Sequence, residues 1–423
     1  MNGAEKYNIS DNINLYVIND KKYKTVHYSF FLHRKLKKEE VTLNSLLSKV
    51  LKSGTKNHPT VSSLSKYAES LFGCGYDVFV TKRANVQSIV SSVNIVSDRF
   101  TNENSEKKAL ELMLDLVFNP NVSDSAFSDE VLNLQKTNLK DDIESLINDK
   151  RSYATVRCLE HMCDGEPNAI VEIGYKEDID KIDSNILFNH YKSIIISSPI
   201  DIFAVGDVDA DSLVSQIKEY IKKYTFNIVD IEVEHFSKTS DAVKNITETL
   251  DVNQGKLVLG LRTGINIEHS AYYALLTANS IFGSGAHSKL FNNVREALSL
   301  CYYAYSRLDK YNSLMLVGSG IESKNFELAK NAILTELDNV KNGNFTDDEL
   351  NVAKEYIISS YNSYKDSPSM LIDYYMGKVF CPSLPSLDQA CDKVSKVTKQ
   401  ELIDAFSTVT LDTVYFLTGK EAK

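Results

Sequence analysis

Apolar positions recur along the chain at two periods. Around residues 15–18, 26–32, 87–96 and 257–261 they form short runs rich in β-branched and aromatic side chains, the pattern of strands. Longer stretches between them carry apolar residues three and four apart, the spacing of helices that bury one face. Two of these helical stretches match each other. FSDEVLNLQKTNLKDDIESLINDK (127–150) and FTDDELNVAKEYIISSYNSYKDSP (345–368) share Phe, Asp, Leu, Asn, Lys and Ser positions, and each opens on a Ser or Thr suited to an N-cap. A second pair follows in the same order: a helix around 187–191 runs into the strand IDIFAVGD, and a helix around 402–406 runs into TVYFLTGK. The two matches stand at offsets of 218 and 213 residues. Two matches in one order at a nearly constant offset predict a duplicated α+β chain, each half a mainly antiparallel sheet with helices packed on it. The first half spans 1–224 and the second 256–423. Residues 225–255 mix short β-rich runs with polar turn residues and read as a linker.

Composition changes this picture little. A chain of 423 residues is long enough for two cores, and 43% hydrophobic residues with only 7 Pro is ordinary for a globular protein. No run approaches the roughly 18 apolar residues of a membrane helix. The polar start MNGAEKYNISDNINLY has neither a basic segment nor an apolar core, so no secretory signal is read and a cytoplasmic location is expected. Six scattered cysteines without a CxxC pair fit a reducing compartment. The formal charge of −10 argues against broad nucleic-acid or anionic-membrane surfaces, which need Lys and Arg to neutralise phosphate. Basic or neutral peptide partners stay open. There is no GxSxG elbow, Walker A motif or dinucleotide-type GxGxxG.

The most specific segment is FGSGAHSKLFNNVREALSLCYYAYS (282–306). It resembles the Gly-rich loop, SKLF-type helix and VRE(x)3LxY element of the second half of insulinase-family zinc peptidases, the family of pitrilysin and the mitochondrial processing peptidase. LKSGTKNHP (51–59) is similar to the tail that follows the zinc helix in the first half of that family. The resemblance spans both halves and points to a branch of Gram-positive bacterial proteins. It implies a clamshell of two homologous halves that binds peptide by strand addition to a sheet edge, here YDVFVTKR (76–83). It also implies that Gly283 and Gly285 belong to a loop near substrate; read without it, both are ordinary cap or turn glycines.

In catalytic members an HxxEH helix precedes that tail, since two imidazoles four residues apart grip one Zn²⁺ while the Glu serves as general base. The positions that match here are Ser45, Leu46, Leu47, Ser48 and Lys49, and the third-ligand position falls near Asp142. An ammonium at a ligand position repels a dication, so no metal or other cofactor is expected in this chain. RCLEHM (157–162) imitates half of the motif through Glu160 and His161, but Arg157 stands where the first His is needed, and a helix turn is the better reading. The other histidines (His27, His33, His58, His190, His235, His269 and His287) show no ligand spacing.

The resemblance assigns Arg295 and Tyr302 to the family's substrate-side pair, which binds the scissile region and donates hydrogen bonds to the developing oxyanion. Two departures stand out: Ser299, where relatives carry Gly, and Tyr303, which leaves a one-residue ambiguity beside Tyr302. The stretch 84–108 is also longer than in the mitochondrial type, which unsettles the position of the strand-edge site. A chain with the Arg and Tyr but no zinc motif is expected to pair with an HxxEH-bearing subunit that holds the zinc, and to act on a peptide or protein substrate. The alternative is a catalytically dead scaffold or peptide-binding subunit; an independent enzyme with an unrecognised site ranks last.

Overall fold

A computed structural model describes residues 3–101, 103–123, 125–234, 238 and 242–419. Its contacts gather into two units: Met1–Glu144 with Ile170–Val233 and Ser367–Met376, and Ser145–Ala169 with Glu234–Asp366 and Gly377–Lys423.

The first unit is built on a six-stranded sheet of β1 (Glu5–Ser10), β2 (Ile13–Asn19), β3 (Thr25–Lys35), β4 (Gly75–Arg83), β5 (Val86–Val96) and β6 (Ile200–Gly206), in spatial order β1-β2-β6-β3-β5-β4. Only β2 and β6 run parallel. β6 is buried at every residue and β3 at most, so both faces of these inner strands are covered. Helices Lys38–Lys52 and Ser105–Phe118 close the core through Leu46, Leu47, Leu110, Met113 and Leu114. Glu39 and Glu40 in the first turn of Lys38–Lys52, with Lys49 and Lys52 in its last, complement the helix dipole.

The second unit holds a five-stranded sheet of β7 (Lys244–Thr249), β8 (Gly255–Arg262), β9 (Cys301–Asp309), β10 (Leu314–Ile321) and β11 (Thr410–Thr418), in order β9-β10-β8-β11-β7. β7 and β11 are parallel and every other pair is antiparallel. Matching β2, β3, β4, β5 and β6 with β7, β8, β9, β10 and β11 reproduces both the chain order and every pairing of the first sheet except that of β1 with β2, so the duplication is structural. β7 lies inside the stretch read as a linker. Its sequence KNITET is mostly exposed and polar, so it lacks the apolar signal that marks inner strands.

Two segments leave their sequence half. Ser145–Ala169 clusters with the second unit and Ser367–Met376 with the first. The first segment carries the helix Lys150–Met162 and the second most of the equivalent helix Pro368–Phe380, so equivalent pieces of the two repeats are exchanged. In the second unit Lys150–Met162 packs on β8 and β11 through Ala154, Cys158 and Met162. Gly260 makes room for it: a Cβ there would stand 2.6 Å from Met162 Sδ. The segment is locked by Arg262, which donates to both Glu166 carboxylate oxygens (2.9 and 2.7 Å), to Asp412 (3.0 Å) and to the Met162 carbonyl (3.0 Å).

Candidate functional site

The helix Lys38–Lys52 carries the positions that match the zinc motif. Ser45 and Ser48 are 2% and 4% exposed, and Leu46 and Leu47 lie wholly in the core. Ser45 Oγ donates to the Glu172 carbonyl at 3.1 Å, and Ser48 Oγ donates to the Ser45 carbonyl at 2.8 Å. Lys49 Nζ meets Asp142 Oδ2 at 2.5 Å, so the residues at the second-His and third-ligand positions form an ion pair with each other. Zinc does not fit this set: two hydroxyls already donate to carbonyls, and an ammonium neutralises the single carboxylate. Among the described residues no group of three or more His, Cys, Asp or Glu could hold a metal ion.

A strap of residues 170–175 lies against the same helix and against β4, the outer strand of its sheet. The Glu172 carbonyl also accepts from Gln87 Nε2 (2.7 Å), and its carboxylate accepts the Lys82 backbone N–H of β4 (2.9 Å). Lys82 Nζ donates to the Ile170 carbonyl at 2.7 Å, and the Tyr175 amide donates to Thr42 Oγ1 at 3.0 Å. Gly174 has φ +92°, and a Cβ there would lie 2.5 Å from Thr42 Oγ1, so the approach demands glycine. One end of the proposed peptide edge is therefore already capped by a carboxylate from the chain itself. Glu172 carries no local sequence signal, because its role depends on a fold that returns residue 172 to strand 75–83.

A Ser–His–Asp relay also emerges. Ser88 Oγ lies 2.8 Å from His33 Nδ1, and Asp201 Oδ2 lies 3.1 Å from His33 Nε2. All three are at most 4% exposed on neighbouring strands β5, β3 and β6, and Asp201 also accepts from Asn14. With all three side chains buried, the arrangement reads as mutual satisfaction of buried polar groups. The RCLEHM turn is likewise structural. Arg157 donates to Glu248 (2.9 and 2.6 Å) and to Glu160 (2.7 Å), while Tyr415 donates to Glu248 at 2.9 Å. Burial raises the Glu248 carboxyl, but those hydrogen bonds outweigh it and hold the group below its ordinary range. His235 lies outside the described residues.

In the second unit Gly283 ends the buried helix Tyr272–Gly283, and a Cβ on it would stand 2.5 Å from Ser306 Oγ. Gly285 has φ +110°, a conformation that L side chains rarely adopt. Both glycines line a partly open cavity of about 660 Å³, together with Arg151, Ser152, Tyr305 and Arg307. Arg295 sits on a π-helical segment, Leu290–Ala297, recognisable by the five-residue hydrogen bond from Leu298 N to the Asn293 carbonyl (3.0 Å). Its guanidinium lies 4.6 Å from the Phe291 ring centroid and 3.5 Å from Glu296, with 38% of the side chain exposed. Ser299 follows at φ +52°, a left-handed backbone that favours glycine.

The β9–β10 register shifts between Cys301 and Tyr303, so Tyr302 occupies a β-bulge and is 62% exposed. Tyr303 lies over Gly320 and under the Arg151 guanidinium (4.8 Å), and burial pushes its phenol up to about 12. The bulge separates the two adjacent tyrosines: Tyr302 presents its side chain to solvent and Tyr303 is packed. Sequence reasoning passed over Arg151 and Arg307, since an Arg beside a helix cap and another on an alternating strand are ordinary surface residues until the fold places them at one cavity.

The duplicated sheet-and-helix chain carries buried serines and a paired lysine where the sequence resemblance expects zinc ligands. The comparisons agree. Residues 181–357 match the family described as "Peptidase M16 inactive domain". The chain is 33% identical over 408 residues to the "Probable inactive metalloprotease YmfF" of Bacillus subtilis (strain 168), with 96% of each chain covered. It is 22% identical over 190 residues, about 44% of this chain and 45% of the other, to the "Uncharacterized zinc protease YmxG" of the same organism. A crystal structure of a conserved protein from Enterococcus faecalis V583 superposes with a TM-score of 0.92 at 27% identity over the whole of both chains. The chain belongs to the M16 (insulinase) peptidase family, in its inactive-type branch.

Proposed function

We propose that this chain is the non-zinc-binding subunit of a two-chain M16 peptidase, lending Arg295 and Tyr302 to peptide cleavage by a partner that bears HxxEH. The observation that carries the reading is the bulge that holds the Tyr302 phenol out to solvent while its neighbour Tyr303 is packed away. An exposed donor on a rigid strand suits stabilisation of an oxyanion, because it costs little reorganisation when charge develops. The ion pair of Lys49 with Asp142 and the buried serines explain why hydrolysis needs a second chain. The presence in Bacillus subtilis of both a "Probable inactive metalloprotease" and an "Uncharacterized zinc protease" related to this chain supports the reading.

A second reading, a scaffold or peptide-binding subunit with no part in hydrolysis, draws on Arg295, whose guanidinium rests on Phe291 beside Glu296 rather than standing free. Turnover by a mixture of this chain with an HxxEH-bearing relative from its own genome separates the two. Under the leading reading the chain alone is inactive. Arg295→Ala or Tyr302→Phe lowers turnover of the mixture about 10- to 1000-fold with partner binding intact, and Tyr303→Phe does not. Full turnover with both the Arg295 and Tyr302 variants sinks the leading reading in favour of the scaffold.

A further inference from the structure

We propose that the cavity along the outer edge of β9 is a binding site for the carboxylate of an extended peptide, held by Arg151 and Arg307. β9 is the outer strand of its sheet, and Tyr305, Ser306 and Arg307 line the cavity where the strand has no neighbour. The chain's own Glu172 already shows the chemistry at β4, the equivalent strand of the first unit, where a carboxylate caps the backbone amide of Lys82. At β9 the fold supplies cations instead.

Arg151 stands at the start of helix Lys150–Met162, with its guanidinium 4.1 Å from the Tyr305 ring centroid and 4.8 Å from that of Tyr303. The rings themselves are fixed, because they lie over Gly318 and Gly320 of β10, where any Cβ would come within 2.6 Å of them. A guanidinium held over ring faces, which accept no N–H bond in its plane, can offer its N–H groups to a planar, bidentate acceptor, and a carboxylate is such an acceptor. Arg307 is two residues from Tyr305 on the same face of β9 and exposed. Neither arginine has an ion pair among the described residues. The one carboxylate that lines the cavity, Asp149, is committed to capping: it accepts from Arg151 N (3.1 Å), Ser152 N (3.2 Å) and Ser152 Oγ (2.6 Å). Gly283 and Gly285 bound the cavity's other side.

That the ligand is a peptide rests on the reading of the chain as a peptide-handling subunit, but the test requires neither partner nor hydrolysis. Failure here therefore leaves the test of Arg295 and Tyr302 standing. The measurement is fluorescence anisotropy of labelled decapeptides on the full chain. One carries a central Glu and an amidated C-terminus, a second has Gln in place of Glu with a free C-terminal carboxylate, and a third has Gln and the amide. We expect the third to bind at least 10-fold more weakly than the better of the first two, and that comparison tells a side-chain carboxylate from a terminal one. Arg307→Gln and Arg151→Gln, each checked for native unfolding temperature, should erase most of that difference, and Arg307→Gln alone suffices if Arg151→Gln disturbs the helix start. Equal binding of all three peptides, no binding of any, or a preference unchanged in the Arg307 variant overturns the proposal.

Discussion

Removing Arg262 tests how the second unit holds the segment that supplies Arg151. Arg262, Glu166 and Asp412 are 4%, 5% and 3% exposed, so Arg262→Met strands two carboxylates in the interior. Breaking a buried pair from one side costs about 3–5 kcal/mol, because the partner's desolvation is no longer offset. The Lys238 ammonium, 3.7 Å from Glu166, relieves part of that, which favours the lower end, about 3 kcal/mol. With a urea dependence of about 2 kcal/mol per molar, the unfolding midpoint should fall by about 1.5 M. The chain contains 0 Trp, so far-UV circular dichroism is the better probe. Hydrogen exchange should rise first in Lys150–Met162, since the Met162 carbonyl and Glu166 lose their shared donor. Replacing all three with apolar residues (Arg262→Met, Glu166→Leu, Asp412→Leu) should recover at least half of the loss. A loss below about 1 kcal/mol for Arg262→Met, or exchange in that helix unchanged, would refute the assignment of Arg262 as the lock.

Three further outcomes are expected. Ser299→Gly should stabilise the chain by up to about 1 kcal/mol in thermal or urea unfolding, since it relieves φ +52° at the cost of some unfolded-state entropy; a clear destabilisation would show that the hydroxyl matters more than the backbone. Lys49→Ala should cost no more than about 1 kcal/mol and confer no zinc on the purified protein by elemental analysis, because Asp142 is half exposed and is the only carboxylate of the set. Burial lowers the imidazoles of His27 and His190 to about 4 from 6.5, so the unfolded chain binds more protons than the folded one between those values. Stability should therefore be flat near pH 7 and fall as pH drops from about 6.5 towards 4, by roughly 1–3 kcal/mol for each imidazole, and the unfolding temperature of His190→Gln should fall less over that window.

Residues whose neighbours are a few positions away in the chain were legible in the sequence. The inner strands followed from their apolar runs, and the duplication from the paired segments at 127–150 and 345–368. The lost zinc motif followed from residue types alone, because Ser45, Ser48 and Lys49 cannot do the chemistry of two imidazoles and a carboxylate wherever the helix lies. Several features were decided only by the tertiary structure, because each depends on residues far apart in the chain meeting in space. β7 was hidden because a polar outer strand takes its stability from pairing with β11 rather than from an apolar face. The exchange of equivalent helices between units leaves no local trace, since Lys150–Met162 has the same amphipathic pattern whichever sheet it covers. The different settings of Tyr302 and Tyr303 come from the bulge, a one-residue change of register that turns one ring outward and lays the other on Gly320. The pairing of Lys49 with Asp142 closes 93 residues of chain, and the seating of the 170–175 strap on Ser45 closes 127. Contacts across such separations follow from how sheets and helices pack, which the residue pattern constrains only in type and periodicity.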